Sequence, residues 1–264
     1  MWHNLATLLR YRGLIQSLVA RELKARYRGS VLGFFWSFVN PLLLLSIYSF
    51  VFAVIMRNTE AKTQPYAVFM FCGLLPWTWF ATSLVDASGS LIVGGNLIKK
   101  VLFPAEILPI VSVLTNMVHF LLGLIILAAF MVYHQHAPDW AQLGWFPVIV
   151  LVQLVLSLGL AFLVSALTVH FRDLRDLLAN LLTFWFFATP IIYFYGSETM
   201  KPFKRYFNLN PFFHIAAAYQ EVLFFDGPFG AWKGLAAVGL GSIAVFLAGY
   251  WLFDRLRDSF AEAV

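Results

Sequence analysis

The side chains that could do chemistry are few, and they gather at the ends of long apolar runs. Lys99 and Lys100 stand in Asn96–Glu106, N-L-I-K-K-V-L-F-P-A-E, among Leu97, Val101 and Phe103 and just before Pro104 and Glu106. The stretch 171–176, F-R-D-L-R-D, packs Arg172, Asp173, Arg175 and Asp176 together. A mixed apolar and basic segment of this kind can press against a soluble partner, and the short charged stretch can pair within itself or with that partner. Anchoring by basic residues on the cytoplasmic side accounts for both equally well. Other chemistries find little support. The run Gly89–Gly94 continues into Gly95 and Asn96, so it does not complete a G-x-x-x-x-G-K-[ST] phosphate loop, and the energy for any active process must come from another polypeptide. His134 and His136 with Asp139 offer a partial metal set that reads better as a plain polar loop. Cys72 is the single cysteine, which leaves no disulfide framework and no cysteine metal site. No metal and no cofactor of the chain's own are expected.

These residues are positioned by elements that have to live in lipid. Hydrophobic residues make up 61% of the 264 and charged ones only 12%, far below the quarter or so of a soluble protein. Six stretches free of Asp, Glu, Lys and Arg are long enough to cross ~30 Å of hydrocarbon: Val31 to Ile55, Tyr66 to Val85, Ile107 to Tyr133, Phe146 to Val169, Leu177 to Tyr195 and Gly234 to Phe253. They are apolar on all sides, unlike the alternating strands of a barrel, so the fold class is an all-α integral membrane protein with six transmembrane helices. Residues 31–264 form one membrane domain, preceded by residues 1–30. In that leading segment Tyr11, Ile15, Leu18 and Val19 share one helical face and Arg10, Arg21, Lys24 and Arg28 the other, the pattern of an amphipathic interface helix. Glu22 and Arg26 intrude on its apolar side.

Of the 18 Lys and Arg residues, 12 fall on one side of this topology and 6 on the other, which predicts both termini in the cytoplasm. The aromatic, proline-punctuated region Gly196 to Lys233 then lies outside and is expected to form short re-entrant or surface helices between the fifth and sixth spans. Asp86, Glu106 and His170 sit at or beyond span ends, and His119 is the one clear ionisable group near a midplane. Coupling to an ion gradient needs more than that. His119 reads as a hydrogen-bonded packing residue.

Taken together the pieces resemble the permease subunits of type-2 ABC exporters that move O-antigen, capsule and teichoic acid polymers. The carrying residues are Arg21-Glu22-Leu23-Lys24-Ala25-Arg26-Tyr27-Arg28-Gly29-Ser30 with Leu32-Gly33 and Trp36, ending at Asn40-Pro41. Phe103-Pro104 and Leu108-Pro109 within Asn96–Pro109, Phe171-Arg172-Asp173, Thr189-Pro190 and Asn210-Pro211 follow in the family's order. Gln220 departs from it, standing where a basic residue is more usual. The resemblance implies a multi-pass protein of the bacterial inner membrane and a homodimer with two copies of a cytoplasmic ABC ATPase, which bind the ATP and Mg. Leu97, Lys99, Lys100, Phe103, Pro104 and Glu106 would then form the coupling helix, with Arg172 and Asp173 beside it. The implied substrate is a polysaccharide on a polyprenyl pyrophosphate. Arg21, Lys24 and Arg28 are candidates for meeting its headgroup, in competition with ordinary membrane lipids. Phe34, Phe38, Tyr48 and Phe52 lie within about 40° of one direction on the first span, a candidate aromatic path for sugar rings. A permease for a small hydrophobic drug or lipid is the runner-up reading. A membrane enzyme acting on lipid-linked sugars comes third, because the spans lack a carboxylate base. Nothing suggests nucleic acid as a partner.

Overall fold

The computed structural model describes residues 11–55, 63–99 and 103–263. Every regular element among them is helical. Helix α1 (Arg12–Arg26) leads through Gly29 and Gly33, at φ of +80° and +49°, into a tight turn and then α2 (Trp36–Ser49). That left-handed backbone suits glycine, so the two glycines let the chain turn sharply out of α1. Two hydrogen bonds brace the corner: Trp36 Nε1 donates to Ser30 Oγ at 3.0 Å and Ser37 Oγ to the Tyr27 hydroxyl at 2.7 Å. α2 continues as a wider π turn over Phe50–Ile55.

Next come α3 (Tyr66–Val93), the short α4 (Gly95–Ile98), α5 (Ile107–Tyr133), α6 (Phe146–His170) and α7 (Leu174–Phe187). Two short helices, α8 (Lys204–Leu209) and α9 (Pro211–Leu223), precede the long α10 (Trp232–Ala263). Four helical segments, Tyr66–Val93, Ile107–Tyr133, Leu143–His170 and Trp232–Phe260, are long and apolar enough to cross a membrane. The bounds of α5 coincide with the expected third span, whereas α3 runs eight residues past Val85.

The extent of the expected fifth span, Leu177 to Tyr195, is corrected. Its helix stops at Phe187, 14 residues and ~21 Å long. Pro190 has no N–H to continue the ladder. Asn210 seals the end instead: its Nδ2 donates to the Ala188 carbonyl at 3.2 Å and to Thr189 Oγ1 at 2.9 Å. The same side chain caps α9, its Oδ1 accepting from Phe212 N at 3.0 Å and from Trp185 Nε1 at 2.8 Å. One asparagine thus ends one helix and starts another, which gives the Thr189-Pro190 and Asn210-Pro211 pairs a shared purpose.

Helix α3 is the axis of the bundle. Its most apolar stretch is 78% buried, against 28% for that of α10, which places α10 at the periphery. α9 lies against the core with Phe212, Ile215, Ala218, Tyr219 and Gln220 fully enclosed. Gln220 donates from Nε2 to the Pro190 carbonyl at 3.4 Å, a neutral residue in a site closed to water. Leu18 of α1, with Ile15 and Val19 beside it, packs on Ile107 and Val111 at the start of α5.

α6 and α10 make the tightest helix pair. A Cβ built on Gly159 would lie 2.6 Å from Phe246 N and 2.7 Å from its Cα, and one on Gly249 would meet the Gly159 carbonyl oxygen. Small residues permit this backbone approach, which supplies association where lipid gives no hydrophobic drive. Gly249→Ala and Gly159→Ala should therefore each cost ~2 kcal/mol or more, because backbone has to shift. Gly239→Ala, on the same α10 but with only Val152 Cγ2 at 3.4 Å, should be nearly neutral. Thermal melting of the purified variants in detergent checks the contrast, and equal melting temperatures for all three would refute it.

Candidate functional site

The residues that intrude on the pattern of α1 and α3 find each other. Arg26 Nη2 meets Asp86 Oδ2 at 2.6 Å, Arg26 Nη1 donates to Asn116 Oδ1 at 3.2 Å, and Asn116 Nδ2 donates to Asp86 Oδ2 at 2.8 Å. The triangle ties α1, α3 and α5 together. Sequence reading missed it as a unit, although both signals were available. Asp86 has no basic residue within a helical turn on either side, so a carboxylate there had to be paired from elsewhere in the fold. Arg26 was the cation out of place on an apolar face.

This clasp stands between two cavities. Above it, one of ≈ 410 Å³ is enclosed by α2, α3 and α5, with Arg26, Asn116 and His119 in its wall. Below it, one of ≈ 230 Å³ is lined by Arg21, Arg26, Asp86 and Arg175 with the ends of α3 and α5. A third, of ≈ 380 Å³, lies on the other side of α2 against α3 and α7. Leu44, Leu74, Thr78 and Thr82 line both of the cavities beside α2, so that helix lies over one continuous groove on α3. His119 departs from the expected hydrogen-bonded role. Its Nε2 is buried without a partner among the described residues, and its ring meets that of Tyr27 edge-on at 6.0 Å.

The sequence-predicted residues divide into those the fold gathers and those it separates. Arg21 lines the lower cavity, whereas Lys24 and Arg28 are exposed and line none of these three. On the coupling segment Lys99 is exposed, and Leu97 and Phe103 are half-buried against Leu91, Phe253 and Phe260. Pro104 and Glu106 are buried, and the Glu106 carboxylate faces Arg257 of α10 at 3.7 Å. Among the described residues of 96–106, the exposed ones are therefore Asn96 and Lys99. Arg172 and Asp173 are exposed on the turn between α6 and α7. Along α2, Phe38 packs on the core and Tyr48 contacts Phe186 at 5.8 Å while lining the cavity beside α7. The face turned to the ≈ 410 Å³ cavity is a different one, Trp36, Ser37, Asn40, Pro41 and Leu44. Lys100 and the side chains of Phe34 and Phe52 lie outside the described set. His136, from the partial metal set, instead docks its loop, with Nε2 2.9 Å from the Phe224 carbonyl and the ring stacked on Phe224 at 4.6 Å.

A family model described as ABC-2 type transporter matches residues 13–224, from α1 through α9. The chain belongs to that family. Among curated relatives, the O-antigen export system permease protein RfbA of Myxococcus xanthus is 39% identical over 258 residues, 97% of each chain. The protein of the same name from Klebsiella pneumoniae is 30% identical over 251 residues, 94% of each chain. As an ABC-2 type transporter chain the molecule is a transport subunit and a multi-pass membrane protein.

The clasp can be weighed directly. Its two charged side chains are 33% and 36% exposed, between a surface pair and a buried one, so a coupling of about 1–2 kcal/mol is expected. A double-mutant cycle with Arg26→Gln and Asp86→Asn, read by melting in detergent, measures it. A coupling energy indistinguishable from zero would show that the triangle does not hold α1 in place.

Proposed function

We propose that this chain is the permease subunit of an ATP-driven exporter carrying an O-antigen-like, lipid-linked polysaccharide out of the cytoplasm. The near end-to-end identity with the Myxococcus xanthus O-antigen export permease carries the reading. Supporting it, the fold offers a groove on α3 with Thr78 and Thr82 along it and aromatic rings from Trp36, Trp77 and Trp79 in its walls. Rings and scattered hydroxyls suit sugars, since a sugar's C–H face lies on an aromatic ring without demanding one fixed hydrogen-bond pattern.

In this proposal the chain crosses the inner membrane six times, α2 with its flanking turns and α7 joining the four long helices, and both termini face the cytoplasm. Two copies pair, and two ABC ATPase subunits supply hydrolysis from the cytoplasmic side, holding ATP and Mg themselves. Lys99 and Leu97, with Arg172 and Asp173 on the neighbouring turn, are the coupling contacts we favour, because Glu106 and Pro104 are turned inward. Two outcomes are expected. The purified chain alone should hydrolyse no ATP and should gain polysaccharide export in vesicles only with its ATPase, as the lack of a phosphate loop requires; steady hydrolysis by the lone chain sinks the proposal. A cysteine placed at Lys99 should react with an impermeant thiol reagent from the cytoplasmic face alone. The native Cys72 is buried and gives little background. Labelling from the opposite face would reverse the topology.

A further inference from the structure

We propose that Arg257 of α10 is a positioning residue for ATPase coupling: it holds residues 96–106 in register through Glu106. That segment ends on Glu106, at the cap position of α5, where the side chain makes no capping bond to its own helix. The carboxylate is only 7% exposed, and its Oε2 is buried without a hydrogen-bond partner among the described residues. Arg257 Nη2, 3.7 Å away, is the one cation in reach of it among those residues. A buried carboxylate with a single countercharge depends on it, because breaking such a pair leaves an uncompensated charge. Phe253, Arg257 and Phe260 recur at i, i+4 and i+7, one face of α10. The two rings, 5.1 Å apart, pack in one cluster with Leu97, Ile98, Phe103 and Ala105. Apolar contact is non-directional, so the rings hold the segment close without fixing where along α10 it sits. A guanidinium presents its donors in a rigid plane, and Arg257 supplies the missing direction.

The other coupling element is tied to the same turn of α10. Ser259 Oγ lies 3.2 Å from Nε2 of His170, the last residue of α6, which stands two residues before Arg172. Residues two apart on a helix do not face each other, so Arg257 and Ser259 leave α10 in different directions. One reaches the start of α5 and the other the end of α6. The last turns of α10 therefore bridge both of the contacts favoured for the ATPase, and they lie beyond residues 13–224, which carry the family match. That an ATPase docks there rests on the exporter reading; that Arg257 fixes Glu106 rests on the geometry alone.

The test has two arms. In nanodiscs, hydrogen exchange of the full chain alone follows the amides of Ile107 and Leu108, which donate to the Pro104 and Ala105 carbonyls, each at 3.1 Å. Arg257→Gln should speed their exchange ~10-fold and Arg257→Lys only ~3-fold, because lysine keeps the charge without the fork. Adding Glu106→Gln to Arg257→Gln should bring exchange back to within ~3-fold of the parent, since no buried charge is then left unpaired. Arg255→Gln, exposed on the same helix above the Trp251 ring, is the control and should stay within ~2-fold. Melting temperatures confirm that each variant is folded. In proteoliposomes with the ATPase, Arg257→Gln should keep hydrolysis within ~2-fold while export falls ~5-fold or more, so that more ATP is hydrolysed per glycan, and Arg257→Lys should recover most of the export. Unchanged exchange in Arg257→Gln overturns the proposal, as does an equal rise in Arg255→Gln or no recovery on adding Glu106→Gln. Hydrolysis and export falling in step make the contact merely structural and also overturn it. Faster exchange in Arg257→Gln, where the parent complex hydrolyses ATP yet exports no polysaccharide, upholds the hold on Glu106 and counts against the exporter reading alone.

Discussion

A carboxylate on an apolar helix cannot be left alone, and the arrangement of this protein follows from how Asp86 is satisfied. Its partners come from two other elements, Arg26 from α1 and Asn116 from α5. An unpaired charge at that position would cost several kcal/mol, so α1 is drawn across the end of the bundle. Leu18 then docks on Ile107 and Val111, and the turn through Gly29 and Gly33 sets α2 over the groove on α3. The clasp also divides the space beside α3.

The remaining helices vary in how firmly they are fixed. α6 and α10 are locked backbone to backbone at Gly159 and Gly249, and α9 is sealed into the core under the Asn210 cap. α2 is the contrast, with cavities along two of its sides and Pro41 in its middle. That proline removes a donor from the helical ladder, and the wider turn over Phe50–Ile55 interrupts regular bonding again. Among the helices beside the cavities, α2 is thus the least constrained.

Helix identity was legible in the sequence wherever apolar length decides it, and α5 was found to its ends. Helix faces were not. A span that is apolar all round carries no periodicity to say which side meets protein, so the aromatic stripe of Phe34, Phe38, Tyr48 and Phe52 could be described but not assigned. The face that borders the large cavity runs through Trp36, Asn40 and Leu44 instead. The early end of α7 escaped for another reason: it depends on Asn210, far along the chain, reaching back to Ala188 and Thr189. Glu106 looked like a surface residue because it lies between spans, and only the length of α10 brings Arg257 to it. The misfits told more than the regularities. Arg26 on the wrong face and Asp86 without a local base were two halves of one contact.

The length of α10 has a mechanical meaning. Its 32 residues make a rod of ~48 Å, against ~30 Å of hydrocarbon, so a stretch of roughly 18 Å has to stand clear of the lipid if the rod is upright. At one end Phe253 and Phe260 brace it against Leu97, Phe103 and Ala105. At the other, Gly234 sits so close to His214 of α9 that an added Cβ would meet the imidazole Nδ1. An unbroken helix joins those ends and can act as a strut. Such a strut would carry a displacement of Leu97, Phe103 or Ala105 to α9 at the opposite end of the bundle, bypassing the cavities beside the clasp.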